Sequence, residues 1–73
     1  MIEMEHAVQI QVNGESRELG PNMSMTGLIE SLGLLPEATA VQINDEIVPR
    51  SAYAETVLLD GDVVELVRFV GGG

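Results

Sequence analysis

Few side chains in this 73-residue sequence are equipped for covalent chemistry. It has no cysteine and a single histidine, His6, and none of Ser16, Ser24, Ser31 or Ser51 has a histidine nearby to activate it. The group that stands out belongs to the main chain. The sequence closes on Arg68-Phe69-Val70-Gly71-Gly72-Gly73, and a carboxylate on Gly73 would be ionised at neutral pH, since α-carboxyl groups ordinarily titrate at about 3.3 to 3.7. Such a group is a poor electrophile and must be activated before anything is attached to it. Attack of a carboxylate oxygen on the α-phosphorus of ATP would make an acyl-adenylate, with the metal and cationic side chains supplied by a partner. The acyl carbon then accepts sulfur or an amine. Gly71, Gly72 and Gly73 together reach roughly 10 Å at about 3.3 Å per residue, and without Cβ atoms they fit a slot too narrow for any other residue. Three glycines alone read better as a frayed end; the strand that precedes them turns the balance.

Other candidate chemistry is weaker. The acids of Asn44-Asp45-Glu46 and Asp60-Gly61-Asp62 superficially resemble calcium ligands, but their spacing does not match a calcium loop and turns explain them better. Tyr53 and His6 are isolated and are expected to pack or sit at the surface. Glu30-Ser31-Leu32 nearly matches the arm-bearing Asp-Ser-Leu of acyl carrier proteins, yet those are helical bundles with the serine opening a helix, whereas Ser31 falls at a helix end. No metal site and no bound cofactor are expected, and no catalytic residue is assigned.

Twelve acids against three arginines give a net charge of -9, a surface that repels phosphate backbones and anionic lipid. Nucleic acid and membranes are therefore poor partners, and a basic protein surface is a better one, although acids also serve simply to keep a small domain soluble. The opening Met-Ile-Glu-Met-Glu-His carries acids where a secretory signal would carry Lys or Arg, so cytoplasmic residence is expected.

The elements that must position the tail follow from periodicity. Val8, Ile10 and Val12 alternate with Gln9 and Gln11, and Asn13-Gly14 is a strong hairpin signal leading into a polar strand that ends near Leu19. Ser24 is placed to cap a helix over 25–32, with Met23 and Leu28 as a hydrophobic staple and Gly33 as its left-handed stop. Gly27 and Thr26 weaken its first turn. Ala40, Val41 and Ile43 mark a third strand, and Asn44-Asp45 turns into a short one stopped by Pro49. Residues 50–56 read as a turn or one helical turn capped by Ser51. In the final strand Val64 and Leu66 lie on one face and Val63, Glu65, Val67 and Phe69 on the other.

A strand apolar on both faces belongs at the centre of a sheet. The expected architecture is α+β: a mixed sheet of about four to five strands, its terminal strands parallel neighbours, with one main helix packed on one face. That is the β-grasp arrangement, as a single domain over 1–73 with 71–73 a flexible tail. It leaves Val63, Val67 and Phe69 on the uncovered face, either as a docking patch or half covered by the hairpin.

Asn44 to Gly73, with Asn-Asp-Glu-Ile-Val-Pro-Arg-Ser, a tyrosine two residues on, Asp-Gly-Asp, a strand and closing glycines, resembles the ThiS family of sulfur carriers in thiamin (thiazole) biosynthesis. Asn13-Gly14 and the Ser24 helix extend the likeness over nearly the whole chain. Ubiquitin-like modifiers and the molybdopterin carrier MoaD share the diglycine, and Val48-Pro49-Arg50 with the short length selects ThiS. The resemblance implies a ubiquitin-like β-grasp carrier whose Gly73, with Gly72 before it, is adenylated by the E1-like enzyme ThiF. Gly73 then becomes a thiocarboxylate with sulfur from a cysteine desulfurase route and serves the thiazole synthase ThiG. Gly71 is an additional glycine, and Arg50 is assigned only to structure or docking. A MoaD-like carrier for another pathway, or a binding module that uses only its sheet face, remains open.

Overall fold

Two asparagine-led turns set the strand pairing. Asn13 and Asn44 both have positive φ, at 51° and 52°, followed by Gly14 at 85° and Asp45 at 72°, the paired left-handed conformation that matches the twist of a two-residue hairpin. The first turn joins β1 (Val8–Val12) to β2 (Glu15–Leu19), and the second joins β3 (Thr39–Ile43) to β4 (Glu46–Val48). The computed structural model describes residues 7–69; the expectations for His6, Gly71, Gly72 and Gly73 fall outside that span.

The fifth strand, β5 (Val63–Arg68), lies between the hairpins, and the sheet order is β2-β1-β5-β3-β4. β5 runs parallel to β1, through the register Gln11↔Val63 and Val12↔Val64, and antiparallel to β3 from Thr39↔Arg68 to Ile43↔Val64. The parallel terminal strands at the centre, with a helix crossover between them, are those expected from the two-sided apolar pattern, and the architecture is the β-grasp fold.

The helix α1 (Met25–Ser31) closes one face. Ser24 caps it, its hydroxyl accepting the Gly27 N–H at 3.0 Å. At the other end Gly33, at φ 78°, and Leu34 donate to the Glu30 and Ile29 carbonyls at 3.0 and 3.1 Å. That paired closure satisfies carbonyls the helix leaves open. Met25, Leu28 and Ile29 form its buried stripe against Ile10, Val12, Val41, Val64 and Leu66; burying one such side chain stabilises by about 1.5–3 kcal/mol. Gly27 has a steric reason: a Cβ there would stand 2.8 Å from the Met23 sulfur, which packs against the core.

Two features depart from the sequence reading. Pro36–Ala38 forms a short 3-10 turn before β3, an element the sequence reading did not include. Arg50–Glu55 is a 3-10 helix, but its cap is Pro49 and no side chain caps it, so Ser51 does not hold the capping role assigned to it. Pro49 is extended, at ψ 148°, and Arg50 begins the turn directly, which puts Ser51 two residues past the cap position. Tyr53 anchors this helix: it is buried, and its hydroxyl donates to the Thr39 carbonyl at 2.7 Å. Buried Thr39 in turn donates to the Leu35 carbonyl at 2.8 Å, so neither polar group carries an unmade hydrogen bond.

Candidate docking face and the strand that leads to the tail

β5 is held from both sides by the asparagines that begin the two turns. On the β1 side, Asn13 Oδ1 accepts the Leu66 N–H at 2.8 Å and Asn13 Nδ2 donates to the Leu66 carbonyl at 3.2 Å. The Asn13 amide thus does for Leu66 what another residue of β1 would do, after the backbone has already turned away. On the β3 side, Asn44 Oδ1 accepts the Val63 N–H at 3.0 Å, Asn44 Nδ2 donates to Asp62 Oδ1 at 3.1 Å, and the Asn44 N–H donates to the Val63 carbonyl at 2.8 Å. Positive φ favours asparagine or glycine at these positions, and only asparagine brings the amide as well.

The turn before β5 is braced in the same way. Gly61, at φ 90°, donates to the Gln9 carbonyl, Asp60 Oδ1 accepts the Gln9 N–H at 2.7 Å, and Asp62 Oδ2 accepts the Leu59 N–H at 2.8 Å. The acids of this turn are therefore engaged with backbone donors, in keeping with their reading as turn residues. At its far end β5 hands on to Phe69, whose N–H donates to the Ala38 carbonyl at 2.8 Å. The strand that precedes the glycines is paired with β3 up to Arg68, and Phe69 bonds the turn just before β3.

The two faces of β5 have opposite environments. Val64 and Leu66 are 0% and 8% exposed beneath α1, whereas Val63, Val67 and Phe69 are 44%, 59% and 56% exposed. All three are exposed; Val63 is the least so and borders a hollow lined by Gln9, Gln11 and Ser16 of the first hairpin. Cross-strand register extends this face outward: Val67 lies opposite Ala40, Glu65 opposite Gln42, and Gln42 opposite Ile47 on β4. Ile47, 78% exposed, is the most exposed of the large apolar side chains among the described residues. Ala40, Val41, Gln42, Ile47, Glu65 and Val67 line an open groove of about 290 Å³.

Of the expected docking residues, Val67 lines this groove, while Val63 borders a neighbouring hollow with Gln9, Gln11 and Asp62. Phe69 is exposed just past the end of β5. Arg50 is exposed at the start of its 3-10 helix and does not line the groove. Ile47 and Glu65 were not singled out from sequence as parts of a site. The signal for Ile47 was present in the Asn44-Asp45 turn, because a two-residue hairpin fixes Gln42 opposite Ile47 and sets both on one face.

The arrangement offers an open, largely apolar groove with one carboxylate in its lining, on the central strand that precedes the glycines in sequence. Among the described residues no three His, Cys, Asp or Glu side chains are grouped to hold a metal ion, and no helix is long and apolar enough to cross a membrane.

A family model described as the ThiS family matches residues 10–73. A protein named thiazole synthase from Paramagnetospirillum magneticum is 41% identical over 66 residues, which make up 90% of this chain and 20% of that protein. The chain spans about one fifth of the length of the two thiazole synthases it resembles. The sulfur carrier protein ThiS of Bacillus subtilis is 35% identical over 65 residues, covering 88% of this chain and 98% of that one. Among solved structures, the crystal structure of the thiamine biosynthesis protein ThiS from Geobacter metallireducens superposes with a TM-score of 0.76 at 32% identity, over 90% of this chain and all of that one.

Proposed function

The chain belongs to the ThiS family, and on that premise we propose that it carries sulfur for thiamin (thiazole) biosynthesis on the carboxylate of Gly73. An E1-like activating enzyme of the ThiF kind binds ATP and the tail. A Gly73 carboxylate oxygen attacks the α-phosphorus, pyrophosphate leaves, and an acyl-adenylate forms. The terminal sulfur of a persulfide from a cysteine desulfurase route then displaces AMP at the acyl carbon to give an acyl disulfide, and a thiol cleaves its S–S bond, releasing the thiocarboxylate and forming a disulfide with the donor's sulfur. In this reading the protein is the substrate of each step and catalyses none. Its own residues bind and orient: β5 precedes Gly71, Gly72 and Gly73 in the chain, and Val63, Val67, Phe69 and Arg50 meet the partner.

The observation that carries the reading is that the family match extends through residue 73 and so takes in the glycines together with the central strand before them. Similarity to a stretch of two proteins named thiazole synthase supports an enzyme of that kind, the ThiG class, as acceptor of the sulfur. The net charge of -9 supports a basic docking surface on the activating enzyme.

Incubation with activating enzyme, ATP and a sulfur source tests the proposal through intact mass. One oxygen is expected to be exchanged for one sulfur, and the exchange is expected to vanish when Gly72 and Gly73 are removed. A truncated protein that retains its biological activity would instead identify a binding module. Thiazole formation in a reconstituted synthase, with and without the protein, separates this pathway from a MoaD-like role in making molybdopterin.

A further inference from the structure

Glu65 sits where an interaction surface would be expected to be wholly apolar. It alternates with Val63 and Val67 on the open face of β5 and lies opposite Gln42, which lies opposite Ile47. It is the one charged residue lining the groove of about 290 Å³. The single ion pair among the described residues is Arg17 with Glu15, at 3.8 Å, and no side-chain hydrogen bond to Glu65 or Gln42 is made within residues 7–69. Other acids have structural work: Asp60 and Asp62 accept backbone N–H groups in the turn before β5. Glu65 has none, and it occupies a position on the most β-prone strand of the chain where a valine would serve folding better.

We propose that Glu65 is the polar anchor of this face and selects a surface of the activating enzyme that presents an arginine or lysine beside an apolar side chain. The apolar side chain enters the groove between Ile47 and Val67, and the cation meets the Glu65 carboxylate. The inference rests on the sulfur-carrier reading and names the chemistry of its first partner. Its physical basis is asymmetric. Covering Glu65 with an apolar surface strips the carboxylate of water without replacement, which is costly, whereas a cation in the same place restores a charged partner. One residue therefore rejects greasy surfaces that the valines and Ile47 would otherwise accept, and a net charge of -9 draws basic surfaces to the protein in the first place.

The test measures affinity of the full chain for the purified activating enzyme at low and moderate salt, together with KM and kcat for sulfur loading. Glu65→Gln is expected to weaken binding about tenfold and flatten its salt dependence, and Glu65→Lys to weaken it about a hundredfold. Both should raise KM, leave kcat at saturation unchanged and melt at the wild-type temperature, since Glu65 is exposed. A Glu65→Gln protein with wild-type affinity and salt dependence would overturn the inference. If Val67→Asp weakens binding while Glu65→Gln does not, the face docks without an anchor, and the inference fails while the sulfur-carrier reading stands. If the wild-type protein is neither bound nor loaded by an enzyme active on another carrier, both fail together.

Discussion

Val63 and Val64 are the same residue type at adjacent positions of one strand, yet Val64 is fully buried and Val63 nearly half exposed. The same contrast separates Leu66 from Val67 two residues later. Nothing in the side chains distinguishes the first pair, and both members of the second are aliphatic. What distinguishes them is that a β-grasp sheet has one helix and two faces, so alternation along β5 sends every second residue to α1 and leaves the others uncovered. On the covered side hydrophobicity holds the fold. On the open side no helix covers it among the described residues, and the use proposed for it is contact with other molecules.

The largest expected effect tests that division directly. Val64→Asp places an unpaired charge beneath α1 and should cost about 4 kcal/mol or more, enough to unfold so small a domain. Val67→Asp and Phe69→Asp should each change stability by about 0.5 kcal/mol or less while weakening association with the activating enzyme. Thermal denaturation paired with a binding assay reads both quantities. Loss of stability in Val67→Asp matching that in Val64→Asp would erase the distinction between the faces.

A second substitution examines what holds β5 in place between them. Asn13→Gly keeps the positive φ of the turn but removes both hydrogen bonds to Leu66, with an expected loss of about 1–3 kcal/mol. Hydrogen exchange at the Leu66 amide should accelerate more than exchange elsewhere in β5; uniform acceleration would mean that the amide is not a local clamp. On the covered side, Tyr53→Phe leaves the Thr39 carbonyl without its donor and should cost about 1 kcal/mol, read from urea denaturation.

The smallest effect concerns the helix that makes the faces unequal. Gly27→Ala in a free helix would stabilise by about 0.8–1 kcal/mol, but here the new Cβ meets the Met23 sulfur at 2.8 Å, so a net change near zero is expected. In the Met23→Ala background the same substitution should recover most of the propensity gain. Equal effects in the two backgrounds would show that the contact has no energetic consequence.

Much of this architecture was legible in the sequence because its signals are local. The alternation of β1, the Asn13-Gly14 turn, the Ser24 cap, the Gly33 stop and the two faces of β5 each depend on a few neighbouring residues. The central position of β5 followed from its apolar content. What escaped depends on residues far apart in sequence. The amide of Asn13 reaches Leu66 across 53 positions, Tyr53 finds its acceptor on β3, and Ile47 joins the open face only through the register of two strand pairs. Ser51 was misassigned for a local reason: Pro49 and Arg50 already begin the turn. The glycines were legible by type alone, and the role proposed for them depends on chemistry supplied by a partner.

The central claim, that the open face docks and the tail reacts, is tested most directly by intact mass after treatment with activating enzyme, ATP and a sulfur source. Two proteins are compared, one ending at Gly73 and one extended by a single alanine. The first should exchange one carboxyl oxygen for sulfur and the second should not, while both melt at the same temperature and bind the enzyme through the same face. Equal sulfur loading of the extended protein would contradict the account.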